Sequence, residues 1–453
     1  MLLPLHPNCF KIELNTMTMI RRIPITVLLI LLLAAAHVRG QQDSLMVVRG
    51  RVLSDGNPVP YATMQLMGTS VGVTCNSAGE YELRLDKRHS GDTLTVRSLG
   101  YITKHVAIAR LLRKADIVLT SRAIELKTVT VSDYGDAHHL LLAVVERIKA
   151  NYHQRTTLST FFYRDWRTID GELYLFDEAV MAVSRCPYSQ YADKRFYRLN
   201  PDEREMESNQ KRMLRHRLVV CDLNLLRSKI IKERGIYQML TYSDDEDFFD
   251  PVATPQASYS LANRMLRQHK FEPLCCFASD GEDYYLVRSV GPCRTPKAHV
   301  VNEYIIRKRD LALVRLTTTT QPLRRRAPTD AWVNWYFNKM HIEADQSVWT
   351  YDVRNGHYTL TRYSNMKTFR LESSGNGHDG QTQSWQHCHE WTLTDFCDTV
   401  DNGYGIAIPV EPQALPGAFG ISDFSSDLWG AYNTIPLDSV PAQLLRAKFG
   451  LNR

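Results

Sequence analysis

Short runs of alternating apolar and polar residues, separated by turn residues, follow one another from Leu45 to about residue 131. In the first run Val48, Gly50 and Val52 alternate with arginines, and the run 80–85 has an apolar side chain at every second position. Strict alternation is typical of strands that bury one face. About seven such runs, closed by turn residues, predict a seven-stranded β-sandwich with a small core.

Two glycines of this region are expected to close turns. Gly79 ends the sequence Asn-Ser-Ala-Gly, and Gly100 stands between Leu99 and Tyr101. Glycine occupies turn positions with positive φ because it has no Cβ that would clash. Gly79 and Gly100 are therefore predicted to have structural roles.

An amphipathic helix is predicted from about residue 137 to 151. Leu140, Leu141 and Val144 recur at helical spacing, with charged side chains on the opposite side. This stripe is expected to pack on a sheet. Asp136 stands immediately before the helix and is a suitable N-cap residue.

Three dipeptides favour tight hairpins, because Asn or Asp followed by Gly supplies the positive φ values that such turns need. A further hairpin is predicted around Arg309-Asp310, and the segment 283–316 alternates as in a β-meander. Residues 134–453 are thus expected to form a larger antiparallel β-rich α+β domain with one leading helix. The dipeptides are Asp170-Gly171, Asp280-Gly281 and Asn355-Gly356, and their glycines are predicted turn residues.

The interval 195–270 is charged and poorly patterned. Mixed charge without periodicity favours solvated helices and loops, including the acidic run 244–250. The triplet Arg324-Arg325-Arg326 is likewise expected in an exposed loop.

An apolar run of 14 residues, 23–36, follows Arg21-Arg22. This run is shorter than the ~20 residues that span a bilayer, and its flanks are those of a signal peptide. Residues 1–40 are therefore predicted to be a signal peptide cleaved after Gly40, with no transmembrane helix in the mature chain. A true start at Met17 or Met19 stays open, which would leave residues 1–18 upstream of the gene start. The predicted location is the periplasm or the outer-membrane periphery, with secretion as an alternative.

Composition and charge agree with this picture and exclude some classes of protein. The chain has 453 residues, of which 44% are hydrophobic and 23% charged, as in ordinary globular proteins of two domains. Four basic residues and one acidic residue in the first forty account for half of the net charge of +6. The remaining +3 is too small an excess for a nucleic-acid-binding protein.

Eight cysteines remain once Cys9 is removed with the signal peptide. None has the spacing of a zinc or redox motif, so structural thiols or disulfides are expected. The closest pairs in sequence are Cys275 or Cys276 with Cys293, and Cys388 with Cys397, but spacing selects no pairing.

One motif could carry metal chemistry. His387 and Glu390 have the His-x-x-Glu spacing of a zinc site. They lie in a segment expected to be a strand, where residues three apart point to opposite faces. We therefore expect no catalytic residue, metal or cofactor, and keep a metal-dependent hydrolase using His387 and Glu390 as the alternative.

An aromatic segment at 331–337 offers a candidate binding surface. Alternation places Trp332 and Tyr336 on one face of a strand. Such a face can stack on sugar rings or cover a lipid, and a contact between sheets is the other interpretation.

Six motifs recur in order through the first region, and together they resemble the carboxypeptidase regulatory-like domain. This domain is a transthyretin-like β-sandwich found in exported Bacteroidetes proteins, often ahead of TonB-dependent outer-membrane receptors. The resemblance implies a non-catalytic module over residues 45–131. The motifs are VRGRV (48–52), PVPYA (58–62), GTSVG (68–72), NSAGEY (76–81), LGY (99–101) and ELKTVTV (125–131).

The meander at 283–316 resembles the curved periplasmic sheets of lipoprotein carriers, which implies a face that holds an acyl chain or a peptide. The expected function is thus that of a non-enzymatic envelope protein. Its sandwich would dock on periplasmic or outer-membrane proteins, and its larger domain would bind a ligand or partner. An accessory role in TonB-dependent uptake is a further alternative.

Overall fold

The computed structural model describes most of the chain after residue 44. The signal segment and the aromatic pair Trp332 and Tyr336 lie outside the described residues. These residues are 45–122, 124–129, 134–155, 157–185, 188, 218–230, 250–252, 261, 264–293, 295–326, 339–373, 380–397 and 429–449.

The N-terminal region is a β-sandwich of two four-stranded sheets, and the predicted mainly β fold is confirmed. One sheet has the order β2-β1-β5 with β8 parallel to the end of β1, and the other has the order β4-β3-β6-β7. Eight strands form where seven were predicted, because the two residues of β2, which stand in a turn of the sequence, pair with the end of β1. The strands are β1 (Leu45–Ser54), β2 (Asn57–Pro58), β3 (Thr63–Leu66), β4 (Gly72–Thr74), β5 (Glu80–Asp86), β6 (Thr93–Arg97), β7 (Lys104–Ala107) and β8 (Ile117–Val118).

Alternating apolar residues fill the sandwich core. Val52, Leu66, Leu83 and Leu94 are fully buried between the two sheets. A 3-10 helix (Lys87–Gly91) and the short helix α1 (Ile108–Leu111) connect strands at the rim. Gly79 has a φ of +73°, and a Cβ there would lie 2.5 Å from the carbonyl oxygen of Val52.

A second, larger sheet contains thirteen of the described strands. Its main order is β12-β11-β10-β21-β20-β19-β17-β16-β15-β14-β9, with β13 paired to β15 and β18 to β19. All its pairings are antiparallel. The strands are β9 (Lys127–Thr128), β10 (Thr157–Ile169), β11 (Glu172–Arg185), β12 (Leu218–Ile230), β13 (Lys270–Phe271), β14 (Cys275–Ser279), β15 (Glu282–Cys293), β16 (Thr295–Arg307), β17 (Ala312–Thr320), β18 (Leu323–Arg326), β19 (Lys339–Arg354), β20 (His357–Glu372) and β21 (Thr382–Cys397).

The hairpins predicted from Asp-Gly and Asn-Gly dipeptides are present. They join β10 to β11, β14 to β15 and β19 to β20, and both residues of each dipeptide have φ values between 49° and 83°. The hairpin around Arg309-Asp310 joins β16 to β17. Gly100, in the sandwich, has a φ of +89°.

The predicted leading helix forms as two pieces, α2 (Ala137–Glu146) and α3 (Ile148–Asn151). The Asp136 carboxylate accepts a hydrogen bond from the backbone N–H of His139, so Asp136 is the N-cap. Leu140, Leu141 and Val144 are buried in the core that the large sheet forms on this side. We call this side of the large sheet the helix face.

The opposite side of the large sheet, which we call the sandwich face, is partly covered by the sandwich and by the C-terminal residues 429–449. These residues include helix α4 (Ser439–Phe449). Trp429 and Ile435 pack on Phe162 and Val180 of the sheet. The sandwich reaches the same face through Leu99, which packs against a cluster of β14, β15 and β16.

The pairs of cysteines that are closest in sequence do not form disulfides. Cys275, Cys276 and Cys388 are free thiols. Cys388 and Cys397 lie nine residues apart on β21, which is about 30 Å of extended strand. Cys275 is opposite Leu286 in the β14–β15 pairing, so Cys293 lies seven residues further along β15.

Two predicted loops also differ from the structure. The triplet Arg324-Arg325-Arg326 belongs to β18, which pairs with β19. Asp250, at the end of the acidic run, is 4% exposed and accepts hydrogen bonds from the hydroxyls of Tyr188 and Tyr351. The rest of the acidic run lies outside the described residues, as does much of the interval 195–270.

Candidate functional site

Strand register arranges the helix face of the large sheet in rows. Directly paired residues of antiparallel strands put their side chains on the same face, so a line of partners crosses the sheet as one row. One row is apolar and aromatic, and it belongs to the same buried core as α2. Its members are Val287, Tyr304, Leu316, Trp349, Tyr363, Trp391 and Tyr163.

The next row is polar. It crosses seven strands from β15 to β10, and its side chains are buried apart from the half-buried Ser347. A buried polar row beside an apolar core is unusual, because each polar atom there needs a partner. This polar row consists of Ser289, Asn302, Thr318, Ser347, Asn365, His389 and Asp165.

Hydrogen bonds connect several members of the polar row. The Thr318 hydroxyl donates to Asn302 Oδ1 at 3.0 Å, and Asn365 Nδ2 donates to the Ser347 hydroxyl at 2.9 Å. Within the described residues, Asn302 Nδ2 has no hydrogen-bond partner although Asn302 is fully buried. A buried donor in this state destabilises the fold unless another group satisfies it.

The third row is charged and partly accessible. The side chains of Arg167, His387, Lys367 and Asp345 are 23%, 12%, 16% and 16% exposed. Lys367 Nζ lies 3.8 Å from Asp345 Oδ2. The charged row therefore presents paired charges of both signs at the border of the buried polar row.

Asp165 joins the polar and charged rows. Its Oδ2 accepts hydrogen bonds from Arg167 Nη2 at 3.2 Å and Nε at 3.3 Å. Its Oδ1 lies 3.1 Å from His387 Nε2, but the two atoms are not aligned as a hydrogen bond. Asp165 is fully buried, so its charge depends on these neighbours.

The pKa values of this pair move so that only Asp165 is charged at neutral pH. Burial disfavours the Asp165 carboxylate, but Arg167, His387 and His389 outweigh burial and lower its pKa to about 2. Burial, together with the charge of Arg167, lowers the pKa of His387 to about 4 against the opposing effect of Asp165. At pH 7 the site thus holds a carboxylate, a neutral imidazole and a guanidinium.

A small apolar cluster lies beyond the charged row on the same face. Phe369 and Trp385 stack with ring centroids 5.8 Å apart and an interplanar angle of 13°. Ile169 and Phe369 are only partly buried. We call this group the outer apolar cluster, and it comprises Met340, Ile342, Leu371, Trp385, Ile169 and Phe369.

Glu390, the second residue of the predicted His-x-x-Glu pair, lies on the sandwich face. The register pairs Glu390 with Arg164 and His387 with Arg167, so the two side chains point to opposite sides of the sheet. Arg164 Nη1 donates to Glu390 Oε1 at 3.0 Å and its Nε donates to Glu178 Oε1 at 2.7 Å. Arg362 Nη2 approaches Glu390 Oε2 at 3.4 Å, which completes a buried ion network.

Cys388, between the two predicted ligands, is a protonated thiol at neutral pH. Burial raises its pKa well above the usual range, and the charges of Glu390 and Asp165 raise it further. The thiolate is the reactive form of cysteine, so this thiol is not activated. Among the residues that the structure describes, no group of three or more His, Cys, Asp or Glu side chains is arranged to hold a metal ion.

Sequence reasoning found His387 but missed Asp165, Arg167 and Lys367. Asp165 and Arg167 lie two residues apart on β10, but they meet His387 and Lys367 only through the β10–β21 and β20–β21 pairings. Alternation within each strand shows which side chains share a face, but it does not show which strands are neighbours. The predicted turn residues Gly171, Gly281 and Gly356 lie in hairpin loops.

Comparison with known proteins identifies the N-terminal region. The family model of the CarboxypepD_reg-like domain matches residues 48–131, which confirms the predicted resemblance for this segment. No curated protein matches the chain.

Two solved structures show a low similarity to the chain. A DUF1329 family protein from Desulfovibrio piger is 11% identical, with 61% of this chain and 97% of that chain covered and a TM-score of 0.25. A protein of unknown function from Bacteroides fragilis is 9% identical, with 77% of this chain and 95% of that chain covered and a TM-score of 0.13. TM-scores this low indicate neither fold nor function.

Proposed function

We propose that the protein is a non-enzymatic binding protein of the bacterial cell envelope, and that its large sheet binds an amphiphilic ligand on the helix face. The observation that carries this proposal is the position of the charged row directly beside the outer apolar cluster. A ligand with a polar group and an apolar chain meets both surfaces at once. Binding sites for small molecules commonly combine an apolar lining with a few placed polar groups.

The partial exposure of these groups supports the assignment. Lys367 and Arg167 keep part of their side chains accessible, and so do Phe369 and Ile169. The aromatic row and most of the polar row are buried, so they are not available for contact with a ligand. The charged row and the outer apolar cluster are therefore the proposed contact surface.

The absence of enzymatic activity is proposed from side-chain geometry. His387 and Glu390 point to opposite faces, so a shared metal ion bound by this pair is not supported. The Cys388 thiol is protonated, and the neutral His387 is held beside the Asp165 carboxylate.

No helix in the described part of the chain is long and apolar enough to cross a membrane.

Export is proposed from the signal-peptide pattern and from the matched domain, which resembles a module of exported proteins. Mass spectrometry of the protein isolated from an envelope fraction should give a mature chain that begins at Gln41. A chain that retains residues 21–40 in the cytosolic fraction would contradict this part of the proposal.

The sandwich is proposed to dock on periplasmic or outer-membrane proteins. Four large apolar side chains on and just after it are exposed by 42% to 50%, namely Ile102, Val118, Ile124 and Leu126. Crosslinking in intact cells should connect the sandwich to envelope proteins. Crosslinks that reach only cytosolic proteins would contradict the docking role.

Titration with a fluorescent amphiphile tests ligand binding. The probe is dansyl-labelled undecanoic acid, with its trimethylammonium counterpart as a second arm, both used below the concentration at which they form micelles. Saturable binding of at least one probe is expected. Phe369→Ala should weaken it by about ten-fold through loss of apolar contact, and Lys367→Met should change the preference between the two head groups.

Met366→Ala is the matched control, because Met366 neighbours Lys367 on β20, points to the other face and is 48% exposed. This variant should bind like the parent protein. Thermal unfolding of all three variants separates loss of binding from loss of fold. Absence of saturable binding, or equal loss in Met366→Ala and Phe369→Ala, would contradict the proposed site.

A further inference from the structure

The C-terminal residues Trp429–Asp438 run between the sandwich and the large sheet, and we call them the C-terminal strap. Helix α4 follows directly and packs Leu445 on the sandwich face of the sheet. The strap contacts both regions through its main chain and its side chains.

Side chains from both regions donate hydrogen bonds to main-chain carbonyls of the strap. On the sandwich side, Arg84 Nη1 donates to Gly430 O at 2.5 Å and Asn76 Nδ2 to Leu437 O at 3.1 Å. On the sheet side, Arg164 Nη2 donates to Ile435 O at 2.5 Å and Nη1 to Pro436 O at 3.4 Å. All four acceptors are main-chain carbonyl oxygens, so these hydrogen bonds do not depend on which side chains the strap carries at those positions.

Further polar contacts fix the position of the strap along the sandwich edge. Asn433 Oδ1 accepts from the backbone N–H of Arg84 at 2.7 Å. Asp438 Oδ1 accepts from the backbone N–H of Ser77 at 2.8 Å and from its hydroxyl at 2.7 Å. Thr434 forms an antiparallel bridge with Glu82 of β5.

Apolar side chains of the strap fill two sites on the large sheet. Trp429 meets Phe162 edge to face, with ring centroids 5.7 Å apart. Leu437 packs with Trp166 and Phe176. Main-chain hydrogen bonds with spaced side-chain pockets are the features by which proteins recognise extended peptides.

We propose that the groove between the sandwich and the large sheet is a recognition site for an extended peptide, and that the C-terminal strap is its ligand within the same chain. Direct contacts between the sandwich and the large sheet also occur. Examples are the bonds from the Ser70 hydroxyl to Asp395 and from the Thr103 N–H to Asp280. The strap adds buried contacts to both regions. This inference does not depend on amphiphile binding.

The test uses the full-length protein with a protease recognition sequence inserted between residues 410 and 411. After cleavage, the C-terminal fragment should remain bound during gel filtration and should be displaced by an excess of synthetic peptide 429–449. A fluorescent copy of that peptide should bind the cleaved protein and not the uncleaved protein, whose groove is occupied.

Matched peptides give the proposal its sharpest test. A peptide with Asn433→Ala and Asp438→Ala loses three hydrogen bonds and should bind at least about ten-fold more weakly. A peptide with Val440→Ala is the control, because Val440 is 49% exposed, and it should bind like the parent peptide.

Three outcomes would overturn the inference. The first is that the fragment separates on gel filtration and the peptide does not rebind, while the rest of the protein keeps its circular dichroism spectrum. The second is that the peptide binds cleaved and uncleaved protein equally. The third is a dimer of the uncleaved protein in which each copy places its C-terminal strap in the groove of the other, which would reject occupation of the groove by the same chain.

Discussion

His387 and Asp165 make the stability of the large sheet depend on pH. A histidine in the unfolded chain titrates near 6.5, whereas the folded pKa of His387 is about 4. Between these values the unfolded state binds more protons, so stability falls as the pH falls. Asp165, with a folded pKa of about 2, adds a further loss of stability below about pH 4.

We expect the protein to lose about 2 kcal/mol of unfolding free energy between pH 7 and pH 4.5 through His387 alone. Urea unfolding at the two pH values measures this loss. His387→Gln should reduce the difference, whereas His357→Gln, at an exposed position, should leave it unchanged. An equal pH dependence in His387→Gln and the parent protein would contradict the assigned pKa.

Glu390 is predicted to be a structural residue and not a metal ligand. Glu390→Gln leaves the buried Arg164 with less compensating charge, and we expect a loss of about 2 to 4 kcal/mol in urea unfolding. Glu343, whose side chain is 46% exposed and lies 4.0 Å from Arg370, supplies the comparison. Glu343→Gln should cost less than about 0.5 kcal/mol. Similar losses in both variants would argue against the buried ion network.

The sequence shows which individual residues could bind a metal or take part in catalysis, but it does not show which residues they contact in the fold. His387 and Glu390 stand out from their spacing, and the alternation of a strand already implies that they diverge. The partner of His387 is Asp165, 222 positions earlier in the chain. Such a contact depends on long-range pairing, for which a single sequence contains no local signal.

Turns differ in how strongly they require glycine. Gly79 and Gly171 both have positive φ, but a Cβ at Gly79 would meet the Val52 carbonyl oxygen at 2.5 Å and at Gly171 would meet nothing within 4 Å. Gly171→Ala should cost about 1 kcal/mol from the left-handed conformation alone. Gly79→Ala should cost clearly more, and thermal unfolding of the two variants compares them. Equal losses would mean that the sandwich relaxes around the added methyl group.

At the scale of elements, local signals predicted the hairpins and the helix. The hairpin turn at Asp170-Gly171 and the helix N-cap at Asp136 depend only on residues that are adjacent in the sequence. Both can therefore be predicted from the sequence alone. The position of β21 in the middle of the large sheet was not readable, because its partners β10 and β20 are selected by packing. The same holds for β12, which lies in a charged interval without clear alternation.

For the whole molecule, the structure connects the two regions that the sequence separates near residue 133. Lys127–Thr128 pairs with β14 of the large sheet, and the strap returns from the C-terminal end to the sandwich. Because the two regions share these contacts, we expect them to unfold as one unit.

A separate probe in each region tests whether the two regions unfold together. All seven tryptophans lie after residue 131, so tryptophan fluorescence reports on the larger region. Amide hydrogen exchange of β1 and β5 reports on the sandwich. We expect the same unfolding free energy from both measurements. A sandwich that unfolds at a clearly lower free energy would contradict the coupling.

Photo-crosslinking locates the proposed ligand site most directly. A fatty acid that carries a diazirine near its chain end is bound to the full-length protein, irradiated, and mapped by peptide mass spectrometry. The proposed function predicts attachment to residues of the outer apolar cluster, within 340–342, 369–371 and around Trp385 and Ile169. Attachment only to the sandwich or to the C-terminal strap, with none on the helix face of the large sheet, would contradict it.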